Sequence, residues 1–447
     1  MNQFDTVIIG GGPAGLGLAY PLHSAGQKVA VVEENKWGGT CPNRGCDPKK
    51  VLLGAVEAQV KSDQLVGRGL NQTPQINWPQ LMKFKQTFTD PVSDNSRAGL
   101  VSAGIEVFDG HASFVDEHTL SVGEQTITAD RFVIATGQRP GRLNVPGDEY
   151  LLTSTDFLSL PTMPAKIAFI GGGYIAFELA AIAAVAIAAV AGAEVHIIHH
   201  NERPLKQFAQ DAVAELMNQL EAKGVQFDLN VETQSIKREA GQTVIQAPNY
   251  ELTVDQAFVT SGRIANADAL NLAAIGVEAD RHGIVVNDHL QTAQSNIYAM
   301  GDVVAKRIPK LTPVSGFEAA YLSQELVKSG AAIHYPEIPT VVFGMPRLAQ
   351  VGISWQTAQE QSDKYRSQVI DMTNWFTYKH LNEPLAKAWM VVDKQTDQIV
   401  GATVISNEAE TLVNYLTQII NTGQTMKQVK EQVFLYPTEA SDLEYLG

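Results

Sequence analysis

A glycine-rich turn that follows a β-like run and opens a helix occurs twice in this chain, and it restricts the fold more than any other feature. The first copy runs from Phe4-Asp5-Thr6-Val7-Ile8-Ile9 into Gly10-Gly11-Gly12-Pro13-Ala14-Gly15, then an apolar helix, then Lys28-Val29-Ala30-Val31-Val32-Glu33. Gly10, Gly12 and Gly15 fit G-x-G-x-x-G. The first makes the turn, the second lets backbone approach a pyrophosphate, and the third packs helix on strand. Glu33 closes the second strand, where a carboxylate can accept ribose hydroxyls. Such a loop alone could be an ordinary tight turn. With strand, helix and acid in register it reads as a dinucleotide site.

The second copy starts at Lys166-Ile167-Ala168-Phe169-Ile170, turns through Gly171-Gly172-Gly173-Tyr174-Ile175-Ala176, and reaches Glu194-Val195-His196-Ile197-Ile198 after a long helix. Ala176 replaces the third glycine, which the fingerprint permits. This strand ends in His199-His200 without a carboxylate, and Lys206 follows. A missing acid with basic groups nearby, His200 and Lys206, favours a 2′-phosphate and hence NADPH; Glu202 close by leaves NADH open. Residues 182–186, Ile-Ala-Ala-Val-Ala, are repeated identically at 187–191. Five extra helical residues add ~7.5 Å and rotate the downstream chain by ~140°, so a π-bulge or an extended, shifted helix end is expected here.

The chain has 447 residues, 45% of them hydrophobic, and a formal net charge of −15. That length predicts about three domains, and that charge argues against nucleic acid or an anionic membrane as partner. The longest apolar run, Leu179 to Ala193, is shorter than the ~20 residues of a membrane span and predicts a buried helix. The strand-like Phe4–Ile9 begins almost at once, so no secretory leader is expected and a cytoplasmic enzyme is.

Cys41 and Cys46 are the only cysteines, within Cys41-Pro42-Asn43-Arg44-Gly45-Cys46. On an ideal helix, residues five positions apart lie ~140° apart around the axis. Their Cα atoms would exceed the ~7 Å a disulfide tolerates. Bonding therefore needs a distorted turn, which Pro42 and Gly45 permit. A structural zinc would need four ligands, and a structural disulfide is unusual inside cells. A catalytic dithiol is the reading that remains, and no metal site is expected.

With Gly38-Gly39-Thr40-Cys41, Gly45-Cys46, Gly110-His111-Ala112, Ala135-Thr136-Gly137, the second glycine loop with Glu178, Ser261-Gly262-Arg263, Tyr298-Ala299-Met300-Gly301-Asp302, Leu311-Thr312-Pro313-Val314 and Pro339-Thr340-Val341-Val342-Phe343, the chain closely resembles the pyridine-nucleotide-disulfide oxidoreductases. The glutathione reductase and dihydrolipoamide dehydrogenase branch is the nearest likeness, over nearly the whole length. The resemblance implies an α/β fold with two Rossmann-like domains, for FAD and NAD(P)H, plus a C-terminal α+β dimerisation domain. It places the FAD-binding segments at 1–146 and 265–334, the NAD(P)H-binding domain at 147–264 and the dimerisation domain at 335–447. The strand-like 386–392 is expected to bury an apolar face against a partner.

The resemblance also implies roles. Cys46 would be the thiolate against the flavin and form the charge-transfer species, and Cys41 the interchange thiol that attacks substrate. Lys49 would lie near the flavin N5 and pair with Glu178. Tyr174 would cover the nicotinamide pocket, Asp302 would bind the FAD ribityl or phosphate region, and Thr312 would bring backbone near the ring. Thr40, Ala112, Gly137 and Gly262 join the cofactor-binding set. The implied partners are a small-molecule electron acceptor and a second copy of the chain, whose C-terminal domain completes the active site.

Two departures stand out. Asp47 replaces the usual apolar residue after the second cysteine and is expected to oppose thiolate formation at Cys46, against Lys49, Lys50 and a helix N-terminus. At the C-terminus, disulfide-reducing relatives carry His-Pro-Thr with a Glu five residues after the His, and this chain has Tyr436-Pro437-Thr438 and Ser441. No histidine follows His380. Tyrosine, near 10, can donate a proton but is a poor base. The expected activity is electron transfer from NAD(P)H through FAD and the Cys41–Cys46 pair to a small disulfide, with Tyr436 as a weaker acid. The alternative acceptor is a metal ion or quinone.

Overall fold

The computed structural model describes residues 2–446, which form two compact units. The first is built from the residues up to Lys50, Lys83–Gly141 and Gly262–His334; the second from Val51–Met82, Arg142–Ser261 and the residues from Tyr335 onward.

In the first unit the strand Asn2–Ile9 lies in a parallel sheet between Val29–Glu33 and Gln125–Ile134. Glu106–Asp109 extends the sheet beyond Val29–Glu33, and Ile297–Ala299 pairs with the far half of Gln125–Ile134. The central strands are apolar on both faces because both faces are covered. Ile8, Val31 and Val133 face the helices Pro13–Ser24 and Thr312–Glu325 through Leu18, Leu22, Ala319 and Leu322. Val7, Ile9, Val32 and Phe132 face the other way, onto Phe114, Leu120, Leu272 and Val303. The antiparallel meander Ala112–Asp116, Thr119–Val122, Gln125–Ile134 supplies part of that second layer.

The second unit repeats the theme. Its parallel sheet has the order Val225–Leu229, Glu194–His199, Lys166–Ile170, Gln256–Val259. The helix Tyr174–Ile187 behind it is apolar on every face apart from Glu178 and buried from Ala176 to Val185, as a helix enclosed on every side must be. The duplicated segment is accommodated at this helix's end, without a π-bulge. The helix stops at Ile187, the first residue of the second copy, and Ala188–Ala193 turns back through tight bonds from the Val190 amide to the Ile187 carbonyl and from Ala193 to Val190. The strand Glu194–His199 keeps its parallel register with Lys166–Ile170.

The C-terminal part is a five-stranded antiparallel sheet in the order Thr340–Val342, Arg347–Gly352, Ile399–Ser406, Lys387–Asp393, Tyr365–Asp371. The expectation that the strand around 386–392 keeps an apolar face for a partner is not met. Ala388 and Met390 pack on Leu412 and Leu416 of the helix Ala409–Asn421. Trp389 lies on the opposite side in the core holding Leu216, Leu348 and Ile405. The sheet is sandwiched within its own chain, so alternation buries both faces. No helix among the described residues is long and apolar enough to cross a membrane.

Candidate active site

The two cysteines lie in the first unit, where the chain turns twice. Gly39, at φ 71°, starts the short helix Thr40–Arg44, and Gly45, at φ −139° and ψ −110°, interrupts it before the helix Cys46–Gln64. The helix break expected from Gly45 is therefore present, and it folds Cys46 back toward Cys41. A Cβ at position 45 would sit 3.0 Å from the Thr40 carbonyl oxygen and 3.3 Å from Cys41 Cα. Both cysteines are free thiols, hydrogen-bonded to each other.

The electrostatics separate them. Cys46 is lowered to about 6, first by the hydrogen bond from Cys41, against burial, with help from the charges of Lys49 and Lys50 and from the Thr312 hydroxyl. Thr312 Oγ1 lies 4.0 Å from Cys46 Sγ. Cys46 is the first residue of its helix and Thr312 the first of Thr312–Glu325, so two helix N-termini, each a partial positive charge, meet at this sulfur. Cys41 is pushed up, by Cys46 above all and then by burial. The proton stays on Cys41 and the negative charge on Cys46. The expected opposition of Asp47 to the Cys46 thiolate is redirected: its Oδ1 lies 4.0 Å from Cys41 Sγ and accepts from that thiol, so its charge helps hold the proton on Cys41.

The first glycine loop adjoins this segment. Gly10 has φ 115°, and a Cβ there would be 2.4 Å from the Ala135 carbonyl oxygen. A Cβ at Gly39 would be 2.6 Å from Gly12 Cα, so only glycines let the two loops close on each other. Glu33 accepts from the amides of Gly11 and Asn35, each at 2.8 Å, and burial raises its pKa. An open helix N-terminus beside a braced carboxylate suits a dinucleotide such as FAD: the first takes pyrophosphate and the second ribose.

Ala112 is buried at the start of its strand, and neighbouring His111 bonds Glu34 at 2.7 Å. Gly137 (φ 67°) and Gly262 (φ 126°) follow strand ends, with open space where a side chain would stand. Asp302 is raised by burial, opposed by Lys306, Arg263 and Lys310. Its turn is pinned by Glu318, fully buried, which accepts from the Gly301 amide at 2.6 Å and pairs with Lys306. Arg263 belongs to the Ser261-Gly262-Arg263 motif, but no role for it, Lys306, Lys310 or Glu318 is legible in the sequence, because what joins them is proximity in space.

In the second unit, Gly171 (φ 128°) and Gly173 open the helix that carries Tyr174, Ile175 and Glu178. Tyr174 hydrogen-bonds Gln207 and Thr340, stacks edge-on against Phe208 at 5.6 Å, and is raised by burial. Glu178, 4% exposed, accepts from the Phe343 amide at 2.8 Å. At the end of the second strand His199, a strand-end residue with no role assigned from sequence, takes the place Glu33 has in the first: its Nδ1 accepts from the Gly172 amide at 3.1 Å. His200 Nε2 bonds Asn201 at 2.8 Å, and Lys206 is exposed. Arg203 adds a further cation to this loop.

Tyr436 is 68% exposed and stacks on Phe376 at 6.1 Å; Phe376 in turn stacks on His380 at 5.1 Å. Folding thus brings a histidine into the same aromatic stack as Tyr436, although 56 positions separate them (436 − 380). Ser441 serves a turn, accepting from the Thr438 amide at 3.1 Å. Asp442 beside it accepts from Thr377 at 3.1 Å and is raised to about 6 by burial.

Comparison with known proteins agrees with this geometry. Residues 4–319 match the family described as pyridine nucleotide-disulphide oxidoreductase, and residues 338–445 match its dimerisation domain. Glutathione reductase from a Nostoc species is 30% identical, with 98% of each chain covered. Mercuric reductase from Staphylococcus aureus is 29% identical, covering 99% of this chain and 82% of the relative. A solved structure titled as the Cu(II) complex of the HOCl-induced flavoprotein disulfide reductase RclA from Escherichia coli superposes with a TM-score of 0.90 at 26% identity, covering 100% of this chain and 99% of the other. The family is FAD-dependent with NAD(P)H as electron donor, and the dimerisation domain supports a homodimer. The two glycine loops, the thiol pair and the C-terminal sheet therefore belong to one design, and the chain is a member of the pyridine nucleotide-disulphide oxidoreductases, a flavoprotein enzyme with a redox-active cysteine pair.

Proposed function

We propose that this enzyme uses NADPH to reduce a small disulfide through Cys41 and Cys46. The observation that carries the reading is the division of labour between the two sulfurs: Cys46 sits at two helix N-termini beside Thr312 and is lowered to about 6, while Cys41 faces Asp47 and keeps its proton. In this reading the segments 1–146 and 265–334 hold FAD, 147–264 holds the nicotinamide nucleotide and 335–447 pairs with a second copy whose tail completes the site. Gly10, Gly12, Gly15, Glu33, Thr40, Ala112, Gly137, Gly262, Asp302 and Thr312 line the flavin site, with Lys49 assigned to its redox-active end. Gly171, Gly173, Tyr174, Ile175, Glu178, His200 and Lys206 line the nicotinamide side. Bound FAD would supply two-electron chemistry between the nicotinamide and the sulfurs.

The chain's own steps follow from the thiols. Cys41 attacks one sulfur of the substrate disulfide, forming a mixed disulfide and expelling one thiolate. Cys46, already ionised, attacks the Cys41 sulfur, expels the second thiolate and leaves the Cys41–Cys46 disulfide. Tyr436, from the second copy, donates a proton to a departing thiolate.

A second reading is favoured by one observation: Cys41 is held protonated and the tail offers a tyrosine. A soft metal ion needs no acid for a leaving thiolate, and two of the similar proteins bear names that point to mercury and copper. Among the described residues no group of three or more His, Cys, Asp or Glu could hold a metal, so such an ion would be a transient substrate of the sulfurs.

The test is anaerobic reduction with NADPH followed by a panel of acceptors. Reoxidation by oxidised glutathione, lipoamide or an aromatic disulfide, abolished in Cys41→Ser, is the expected result. Reoxidation by Cu(II), Hg(II) or a quinone alone would overturn the disulfide assignment and favour the second reading.

A further inference from the structure

We propose that Asp47 is the general base of Cys41: its carboxylate receives the Cys41 proton as that sulfur attacks an electrophile and passes it to the departing thiolate. The inference rests on the dithiol reading above and deepens it. It joins the substitution after the second cysteine to the tyrosine in the tail, since a chain without a C-terminal histidine base still has to deprotonate its attacking thiol.

The Cys46 sulfur and the Thr312 hydroxyl are hydrogen-bonded to the Cys41 thiol, and the Asp47 carboxylate faces it. Cys46 must stay ionised to resolve the mixed disulfide, and Lys49, Lys50 and Thr312 favour that charge. Arg263 also lies within the field of Cys46. Thr312 is a neutral hydroxyl that holds no extra proton near neutrality. Asp47 Oδ1 is an acceptor at 4.0 Å from Cys41 Sγ, and an ionised carboxylate is an acceptor only. Asp47 is also exposed, so it exchanges protons with water. It is the second residue of the helix Cys46–Gln64, and the break at Gly45 turns its side chain toward Cys41, not Cys46.

The balance closes without another reactant. A sulfur–sulfur bond forms between Cys41 and the substrate, and the substrate's own sulfur–sulfur bond breaks. The thiol proton moves to the Asp47 carboxylate and then to the expelled thiolate. The second thiolate, expelled by Cys46, takes its proton from Tyr436 of the second copy, which regains one from water. Cys46 and burial make Cys41 hold its proton more tightly than an ordinary thiol, so transfer ahead of attack is unfavourable. The proton moves as the new bond forms. A protonated carboxyl is a donor, so Asp47 can hand the proton on to the leaving sulfur.

The test separates a base from a mere charge, because the two predict opposite signs. In the NADPH-reduced holoenzyme, Cys41 is alkylated with iodoacetamide and followed by peptide mass; cleavage after Arg44 separates it from Cys46. Removing a negative charge alone would ease ionisation of Cys41, so Asp47→Asn would alkylate faster at pH 6.5. If Asp47 is the base, Asp47→Asn alkylates roughly 10-fold slower or more, its rate rises steadily toward alkaline pH, and Asp47→Glu recovers most of the rate. Reoxidation of the reduced enzyme by a small aromatic disulfide should fall by about 10²-fold in Asp47→Asn, while flavin reduction by NADPH stays within about twofold. Equal or faster alkylation in Asp47→Asn overturns the proposal. Full disulfide turnover by Cys41→Ser would instead sink the dithiol reading, and the alkylation result would still decide the role of Asp47. Should Asp47→Asn fail to retain FAD, Asp47→Ser carries the same comparison.

Discussion

The two glycine loops share a backbone and part company at two side chains. Each begins with a left-handed glycine, Gly10 or Gly171, pressed against a carbonyl of the neighbouring strand segment. In the first loop the helix lies so near that a Cβ at Gly15 would be 1.9 Å from the Gly10 oxygen. In the second, Ala176 carries a real Cβ at that place and is fully buried, so that helix stands farther from its turn. The strand-end acceptors differ as well. Glu33 and His199 brace the middle glycine amide in the same way, at 2.8 Å and 3.1 Å. A carboxylate brings negative charge to that spot. An imidazole that accepts through Nδ1 is neutral, with its proton on Nε2. Burial, then the neighbouring His200, holds His199 below its ordinary value and keeps it in that form. One scaffold thus carries a charged strand-end acceptor in the first copy and an uncharged one in the second.

The largest effect should come from erasing the packing difference. Gly15→Ala forces the helix off its turn, costs about 3 kcal/mol, and should yield protein with little bound flavin on purification. Ala176→Gly should cost only about 1 kcal/mol and keep full flavin content. Similar melting temperatures for the two variants would show that the helices approach their turns equally.

Exchanging the strand-end acceptors should have an intermediate effect. His199→Glu puts a carboxylate at the strand end, the position of the ribose-binding acid in the dinucleotide fingerprint, so under the proposed use of NADPH the ratio of kcat/KM for NADPH over NADH should fall by roughly 10-fold or more. An unchanged ratio would mean that His200, Arg203 and Lys206 set the preference alone.

The smallest effect concerns pH. The folded pKa of His199 is depressed, so the unfolded chain binds this proton more readily. The contribution to stability is present above the unfolded value, ~6.5, and is lost as pH falls from there toward the folded value. His199→Gln should flatten that part of the stability profile in urea titrations between pH 5 and 7. A profile identical to the parent would show that His199 does not titrate differently on folding.

Much of this was legible in the sequence. The glycine spacings, the β-like runs before them and the two cysteines fixed the loops, and Gly45 announced the helix break. Where the sequence misled, tertiary packing was the cause. The strand Lys387–Asp393 reads as half-apolar, yet helices cover both of its faces. The repeated pentapeptide has a helical composition, but only its first copy is enclosed by neighbours, and the second leaves the helix after Ile187. The role of His199 is not legible in the sequence because it is a hydrogen bond to a backbone amide 27 residues away. Asp47 was assigned to the cysteine beside it in sequence, whereas a broken helix pointed it at the other.

By itself, the order of residues determined which local shapes were possible. Glycines admit positive φ and close approach, alternating apolar runs make strands, and two thiols spaced by four residues can meet only if a helix breaks. Folding alone decided which sulfur keeps the proton, which carboxylate faces it and which imidazole braces the second loop. Those outcomes depend on distances of a few ångströms between groups far apart along the chain, and electrostatic influence follows distance in space, not position in sequence.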